Sequence, residues 1–219
     1  EGFGNDHYVT KISQEGEVLW TRAYGSLKNE VGVAIRHLNE GGYVLVGDKQ
    51  QEDNTYGIEA FKLDENGDVL WQQDINGFYN GGCKNMIINT EGNFVIIGEA
   101  SPNKQDGFDV MLIKLDAEGN LIWQNFIDGT ENGDAGFDLA ELPDSNGYIV
   151  TGYGFNPSTQ QTDILVSQVN DEGQEIATYY YGAGGFDIAS DVSPAIDGGF
   201  WVTGASYEGT ANQYFLAYV

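Results

Sequence analysis

Hydrophobic and polar residues alternate along this chain in short runs that are bounded by glycine, asparagine and aspartate. One clear set consists of run a at residues 31–38 (VGVAIRHL) and runs b, c and d, which begin at Gly41 (GGYVLVGD), Gly57 (GIEAFKLD) and Gly67 (GDVLWQQD). Short runs of β-branched and aromatic residues between turn formers predict β-strands. No long segment has the spacing of an amphipathic helix, so the sequence predicts an all-β fold.

The four runs recur along the chain with a period of about 50 residues, which lies in the range of propellers and solenoids. Run d and the turn before it read SQEGEVLW, DENGDVLW and DAEGNLIW, ending at Trp20, Trp71 and Trp123, and a degraded copy, NDEGQEIA, ends at Ala177. Run b recurs with the same period, as GGYVLVG, GNFVIIG, NGYIVTG and GGFWVTG. Four antiparallel strands per unit, repeated around an axis, predict a β-propeller, because radial repetition protects the edges of the sheets.

The predicted propeller is a single domain that spans residues 1–219. The first unit contains only runs c and d and the last only a, b and c, so the first run d could complete the last blade and close a four-bladed ring. The first run c then has no place, and three alternatives stay open: an extra strand on a compact ring, a larger propeller, or pairing with a partner. The predicted units are 7–30 (partial), 31–79, 80–133, 134–186 and 187–219 (partial).

The segment LDENGDVLW resembles the start of a calcium-binding loop, because Asp64, Asn66 and Asp68 stand at alternate positions. A calcium loop needs more ligands, including a bidentate carboxylate further along, and here the chain continues directly into VLW. In the first copy Ser13 replaces the first aspartate. We therefore predict a hairpin turn in which Gly67 adopts positive φ, and no metal site.

Trp20, Trp71 and Trp123 head the outermost strand of their units. A large ring repeated at that place most simply packs against the neighbouring blade. Quinone-dependent propeller enzymes also repeat tryptophans, but no other part of such a site is visible, so we predict no cofactor.

The chain carries 34 Asp and Glu against 9 Lys and Arg, a formal charge of -25. Such a field repels phosphate backbones and anionic lipids, which excludes nucleic acid as a partner. No apolar stretch approaches the roughly 18 residues of a membrane helix, which excludes direct membrane insertion, and the N-terminus is unlike a signal peptide. The single cysteine, Cys83, is predicted to be a small packing residue.

The combined pattern of runs b to d resembles kelch-like repeats, and more closely the repeats of secreted or lipid-anchored propeller-like proteins of Gram-negative bacteria. In the third unit DVMLIKLDAEGNLIW, from Asp109, follows that consensus almost residue for residue. The resemblance spans nearly the whole chain and implies a periplasmic, outer-membrane-associated or extracellular protein, often a binding part. It carries over no catalytic residues.

The connections between strands differ between the two ends of each unit. The a–b and c–d turns are short and share one face, whereas the b–c and d–a connections are longer, differ in every unit and share the other, here named the long-loop face. Loops on a rigid scaffold are where binding residues concentrate, and rings beside amides and carboxylates could hold a carbohydrate or an extended peptide. The candidate binding residues are Phe78, Tyr79, Asn80, Asp134, Phe155, Asn156, Asp187 and Tyr207.

Support for catalysis in the sequence is weak. His7 and His37 are the only histidines, His37 is expected to be buried on an inner strand, and no nucleophile elbow or phosphate loop accompanies them. The leading hypothesis is a non-catalytic, exported module that docks on another protein or on a membrane-protein assembly. The alternatives are a glycoside hydrolase built on a carboxylate pair, or a lectin, either of which would bind a glycan at the long-loop face.

Overall fold

The computed structural model describes residues 4–127, 133–143, 146–182, 184–196, 198–208 and 211–218, and its regular secondary structure consists of strands. Part of the predicted d–a loop of the third unit, residues 128–132, lies outside the described residues. The strands are β1 (His7–Ile12), β2 (Val18–Tyr24), β3 (Glu30–His37), β4 (Tyr43–Gln50), β5 (Tyr56–Leu63), β6 (Val69–Ile75), β7 (Asn80–Ile88), β8 (Phe94–Ser101), β9 (Asp109–Leu115), β10 (Leu121–Ile127), β11 (Ala135–Glu141), β12 (Gly147–Asn156), β13 (Gln161–Asn170), β14 (Glu175–Tyr181), β15 (Ile188–Pro194), β16 (Phe200–Glu208) and β17 (Ala211–Tyr218).

These strands form five antiparallel sheets in chain order. Sheet 1 is the pair β1–β2, sheets 2, 3 and 4 are the four-stranded meanders β3–β6, β7–β10 and β11–β14, and sheet 5 is β15–β17. The predicted all-β fold of four-stranded antiparallel units is confirmed. No helix able to cross a membrane occurs among the residues that the structure describes.

The predicted completion of the last blade by the first run d is not what the structure shows. Strand β2 pairs with β1, and β17 pairs with β16, in the described part of the chain. Pairing across a short hairpin fixes much less chain entropy than pairing between the two ends of the protein. The first two strands therefore make their own sheet.

The hydrophobic core lies between successive sheets. Val44, Val46 and Met86 belong to the cluster between sheets 2 and 3, and equivalent clusters lie between sheets 3 and 4 and between sheets 4 and 5. The first strands of the sheets contact one another in order, β3 with β7, β7 with β11 and β11 with β15. Each sheet is therefore buried by its neighbours, and these first strands are named the inner strands.

Each inner strand carries a β-bulge at the same place. The register with the second strand shifts by one residue between Gly32 and Ala34, and it does so at the same point in the other three inner strands. A bulge leaves one residue unpaired and turns the following side chains to the opposite face. The bulged residues are Val33, Lys84, Phe137 and Ser190.

The repeated tryptophans join each sheet to the c–d turn of the next. The indole Nε1 of Trp20 donates to the carbonyl oxygen of Glu65 at 3.1 Å, that of Trp71 to Ala117 at 3.3 Å, and that of Trp123 to Asp171 at 2.9 Å. The three rings also contact aromatic residues at equivalent places on the next sheet. The prediction that they pack against the neighbouring blade is confirmed.

The DENG segment is a hairpin turn. Asp64 Oδ1 accepts hydrogen bonds from the backbone N–H groups of Asn66 at 2.8 Å and Asp68 at 2.9 Å, and Gly67 has φ of 80°. These bonds, the one from Asp68 first, lower the pKa of the Asp64 carboxyl. Its Oδ1 is thus used to close the turn, as predicted.

The tryptophan contact can be tested with Trp123→Phe, which removes the indole N–H together with part of the ring that packs on the next sheet. We expect a loss of at least about 1 kcal/mol, the contribution of the hydrogen bond alone, and a fall in Tm of about 2–4 °C or more. Thermal unfolding by circular dichroism measures this, with Tyr8→Phe as the control because the Tyr8 side chain is exposed. An unchanged Tm in Trp123→Phe would contradict the proposed role of the bond.

Candidate functional site

The residue after each bulge occupies one column of the repeat, and its chemistry changes along the protein. The column contains Ala34 in sheet 2, Asn85 in sheet 3, Asp138 in sheet 4 and Asp191 in sheet 5, each paired with the corresponding residue of the second strand. The same position is therefore apolar in sheet 2, an amide in sheet 3 and a carboxyl group in sheets 4 and 5. Ionisable groups on inner strands, next to bulges, are a common feature of functional sites.

These side chains are hydrogen-bonded in series. Arg36 Nη2 donates to Asn85 Oδ1, and Asn85 Nδ2 donates to Asp138 Oδ1, both at 2.5 Å. The backbone N–H of Val192 donates to Asp138 Oδ2 at 2.9 Å. Asp191 is the residue before Val192, and its carboxyl group is near enough to contribute to the raised pKa of Asp138. We name Asp138 and Asp191 the acid pair.

The two members of the acid pair have different surroundings. Asp138 is 6% exposed, whereas Asp191 is exposed. Burial raises the pKa of Asp138, and the neighbouring Asp191 raises it further, while hydrogen bonds from Val192 and Asn85 act in the opposite direction. A buried carboxyl group with a raised pKa near an accessible carboxyl group is an arrangement suited to general acid–base catalysis.

A row of aromatic rings leads from the acid pair toward the long-loop face. The ring centroids of Phe137 and Tyr153 are 5.7 Å apart, those of Tyr153 and Phe186 are 5.7 Å apart, and those of Phe186 and Tyr207 are 6.2 Å apart. Phe137 directly precedes Asp138, and the far end is open to solvent, with Phe186 47% and Tyr207 37% exposed. We name these four rings the aromatic row.

The aromatic row is a departure from the repeat. Phe137 is the bulged residue of β11, and its equivalents are Val33, Lys84 and Ser190. Burial first, and then the charge of Glu99, raise the pKa of Tyr153, whose own repeat equivalents are not aromatic. Phe137 and Tyr153 are therefore not required by the repeat, which leaves ligand contact as their simplest use.

A second ionisable group lies between sheets 1 and 2. Glu59 is 1% exposed and accepts hydrogen bonds from His7 at 3.2 Å, Lys49 at 2.6 Å and Gln72 at 2.6 Å, and Lys49 also pairs with Asp74 at 2.9 Å. Burial alone raises the pKa of Glu59, but these hydrogen bonds outweigh it and hold the pKa at about 2. A carboxyl group with a pKa this low is a poor proton donor near neutral pH, so we assign this network to the fold.

The expectation for His37 is wrong. Its side chain is 61% exposed and lies 3.4 Å from Glu65 Oε1, because it stands at the end of β3, beside the short turn. The buried histidine is His7, which is fully inaccessible and contacts Phe61 edge-on at 5.4 Å.

Two of the predicted binding residues are used inside the fold. Asp134 and Asp187 are fully buried, although both were predicted from their loop positions. Asp134 Oδ1 accepts the backbone N–H of Phe155 at 2.8 Å, and Asp187 Oδ1 accepts that of Tyr207 at 3.0 Å. Asp187 thereby fixes the backbone that carries one ring of the aromatic row.

The remaining predicted residues fall in two places. Phe78 packs against the core between sheets 2 and 3, the Lys104 ammonium lies 5.8 Å from the Tyr79 ring, and Asn80 accepts the first backbone N–H of β5 at 2.7 Å. Asn156 donates to a carboxylate on β13 at 2.6 Å. The structure joins only Tyr207 to the aromatic row, and ligand binding by the other predicted residues stays a prediction.

Comparison with known proteins gives likenesses among solved structures only. No protein-family model matches the chain, and no curated protein matches it. The endo-arabinase from Bacteroides thetaiotaomicron VPI-5482 is 13% identical, with 88% of this chain and 74% of that one covered and a TM-score of 0.49. A candidate gluconolactonase is 11% identical, with 79% of this chain and 71% of that one covered and a TM-score of 0.39. A candidate oxidoreductase (glucose dehydrogenase) from Thermus thermophilus is also 11% identical, with 100% of this chain and 98% of that one covered and a TM-score of 0.38.

The prediction of a non-catalytic docking or capping module is corrected by this comparison. The three structures named above are described as enzymes, which contradicts that leading prediction and leaves the carbohydrate-active alternative as a hypothesis. At these identities and TM-scores the likeness concerns overall architecture and assigns no reaction. The function of this chain has to be argued from its own side chains.

The acid pair predicts a pH-dependent gain in stability on removal of one charge. A carboxyl group whose pKa is raised by folding makes the folded state lose stability as pH rises through that pKa. We expect Asp191→Asn to raise Tm at neutral pH by about 2–4 °C, roughly 1 kcal/mol in a chain of this size. The gain should vanish at acidic pH, where Asp138 is protonated in both proteins.

Differential scanning calorimetry across the acidic to neutral range measures this difference. Asp116→Asn is the control, because hydrogen bonds in its turn, that from Asn120 first, lower the pKa of Asp116. A loss of stability in Asp191→Asn at neutral pH, or a gain independent of pH, would refute the described charge repulsion.

Proposed function

We propose that the protein is a carbohydrate-active enzyme, specifically a glycoside hydrolase whose acid–base chemistry is carried by Asp138 and Asp191. The observation that carries this proposal is that the buried Asp138 and the accessible Asp191 occupy equivalent positions on adjacent inner strands, where the backbone N–H of Val192, next to Asp191, donates to Asp138. Glycoside hydrolysis commonly uses a pair of carboxyl groups, of which one donates a proton to the leaving oxygen. The raised pKa of Asp138 suits it to that step.

The roles follow from how each side chain is held. Asn85 and the Val192 backbone fix both oxygens of Asp138, so this carboxyl group is the positioned general acid. Asp191 is accessible and acts as the carboxylate that activates water or attacks the sugar.

The aromatic row supports a sugar as the substrate. Aromatic faces stack on the apolar faces of sugar rings, and hydrogen-bonding groups beside them set the orientation. The formal charge of -25 disfavours polyanionic substrates. We therefore propose a neutral glycan, bound along Phe137, Tyr153, Phe186 and Tyr207 toward the acid pair.

We also propose that the sheets stand around an axis as the blades of a propeller. The sequential contacts of the inner strands β3, β7, β11 and β15 support this arrangement. In a propeller the inner strands line the axis, which would bring the acid pair and the aromatic row to a common central opening.

The acid pair can be tested by kinetics. We expect Asp138→Asn and Asp191→Asn each to lower kcat on a neutral glycan by about 10²–10⁴-fold, the usual contribution of general acid–base catalysis, with little change in KM. Release of reducing ends from a panel of neutral polysaccharides measures this. Asp116→Asn is the control, because Asn170 already holds an equivalent turn. Full activity in either variant, or binding without turnover by the native protein, would contradict the proposal.

The aromatic row has a different expected signature. Phe186→Ala and Tyr207→Ala should raise KM about tenfold, or roughly 1.4 kcal/mol of binding, and leave kcat nearly unchanged. Tyr8→Ala is the matched control, since that ring is 71% exposed and lies in sheet 1. Equal KM values in all three variants would exclude the row from substrate binding.

A further inference from the structure

Arg36 departs from the repeat one sheet before the candidate site begins. It lies on β3, two residues after the column that contains Asn85 and the acid pair. The equivalent residues of the other inner strands are Ile87, Ala140 and Ser193, none of which is charged. An arginine at this place is therefore not required by the repeat.

The guanidinium group of Arg36 binds an amide side chain and not a carboxylate. Its Nη1 donates to the carbonyl oxygen of Ile35 at 2.9 Å, and its Nη2 donates to Asn85 Oδ1 at 2.5 Å. Arg36 forms no ion pair within the described part of the chain, although the sequence contains 34 acidic residues. The positive charge of Arg36 is therefore directed at the side chain of Asn85.

The hydrogen bonds of Asn85 fix the orientation of its amide group. An amide side chain has an acceptor oxygen and a donor NH₂ group, which are told apart by their hydrogen-bond partners. Asn85 Oδ1 accepts from Arg36 and, at 2.8 Å, from the backbone N–H of Met86, and both of these groups can only donate. Asn85 Nδ2 therefore faces Asp138 and donates to its Oδ1 at 2.5 Å.

Three strands place side chains around Asp138. Its pairing partner on β12 is the neutral Thr151, and β15 contributes Asp191. On β7, Lys84 is held in an ion pair at 2.8 Å with the second strand of its own sheet, so Asn85 is the residue of β7 that reaches Asp138. Burial is the first cause of the raised pKa of Asp138, Asp191 adds to it, and the hydrogen bond from Asn85 acts against it.

We propose that Arg36 is a positioning residue for Asp138 and that it acts through Asn85. This inference rests on the proposed function, because it assigns a task in that reaction to a residue outside the acid pair. A charged donor polarises the amide that it binds, and hydrogen bonds in series strengthen one another. The series from Arg36 through Asn85 thus stabilises the ionised form of Asp138 and fixes the direction of its carboxyl group. A general acid has to release its proton as well as hold it, and burial alone favours holding it.

Titration of the Asp138 side-chain carboxyl carbon by nuclear magnetic resonance tests the inference. We expect Arg36→Met to raise the pH at which Asp138 loses its proton, and Asn85→Leu to raise it further, because the ionised carboxyl group loses a hydrogen-bond donor. Arg36→Lys keeps a charged donor and should restore part of the difference. Arg22→Met is the matched control, since the Arg22 side chain is 44% exposed on β2, and it should leave the titration of Asp138 unchanged.

The double variant separates action through the amide from direct attraction between charges. In the Asn85→Leu background, Arg36→Met should cause no further rise in the titration midpoint of Asp138, because the hydrogen-bonded series is already broken. A rise of equal size in both backgrounds would overturn the inference. So would an unchanged midpoint in Arg36→Met, with circular dichroism showing that the variant is folded.

Kinetics separates this inference from the proposed function. The alkaline limb of kcat/KM reports the pKa of the general acid in the free enzyme, so on a neutral glycan it should move to higher pH in Arg36→Met, in step with the titration. A titration that moves while the alkaline limb stays in place would support the role of Arg36 and show that Asp138 is not the acid of the reaction. The titration requires no turnover, so it decides the role of Arg36 even in a protein that does not hydrolyse glycans.

Discussion

The structure depends on the contact that each sheet makes with the next. A four-stranded meander has two faces to bury and cannot do so alone, and here the inner strands and the interleaved side chains of successive sheets cover one another. The tryptophan at the head of the outer strand fixes this contact at its rim, because its indole N–H reaches a carbonyl oxygen of the next turn. That turn is itself closed by an aspartate or asparagine side chain and by a glycine with positive φ. The c–d turn, the tryptophan and the core between adjacent sheets thus form one repeated structural unit.

In a repeated fold, residues that differ from their equivalents in the other repeats can be identified directly. Where the architecture needs only a residue of suitable size, the chain places Ala34 in sheet 2 but Asn85, Asp138 and Asp191 in the sheets that follow. The bulged position changes independently, and an aromatic ring appears there next to the first carboxyl group of the pair. These substitutions cost stability, because they bury a carboxyl group beside another one. Such a cost is expected at a site where function, and not folding, selects the residues.

Much of the fold was predictable from the sequence, for physical reasons. The period, the strands and the turns are local properties of the sequence. Gly67 and Asp64 predict a hairpin turn because of the backbone conformations and hydrogen bonds that they favour. The tryptophans were also predictable, since a large ring at a regular interval needs a regular partner. The pairing of the first run d was not predictable from the sequence. It depends on a competition between pairing with the neighbouring strand and pairing with the distant last sheet, and no short sequence pattern shows which of them is favoured.

The candidate site was less accessible to sequence reasoning. The chain has 34 acidic residues, so no single carboxyl group stands out by composition. A bulge also reverses the alternation of faces, so a period of two assigns the residues after it to the wrong side. Aligning the four inner strands, VGVAIRHL, GCKNMIIN, AGFDLAEL and IASDVSPA, does place Asp138 and Asp191 in one column. Loop position alone instead favoured Asp134 and Asp187, whose carboxylates are buried in backbone hydrogen bonds.

The central claim is that the inner strands of sheets 4 and 5 hold a carboxyl pair tuned for proton transfer. The most direct measurement is a titration of the side-chain carboxyl carbons of Asp138, Asp191 and Asp116 by nuclear magnetic resonance. The structure predicts that Asp138 loses its proton at a distinctly higher pH than the turn residue Asp116, in a transition that also shifts the Asp191 signal. Deprotonation of Asp138 at or below the pH at which Asp116 titrates, with no response from Asp191, would contradict it.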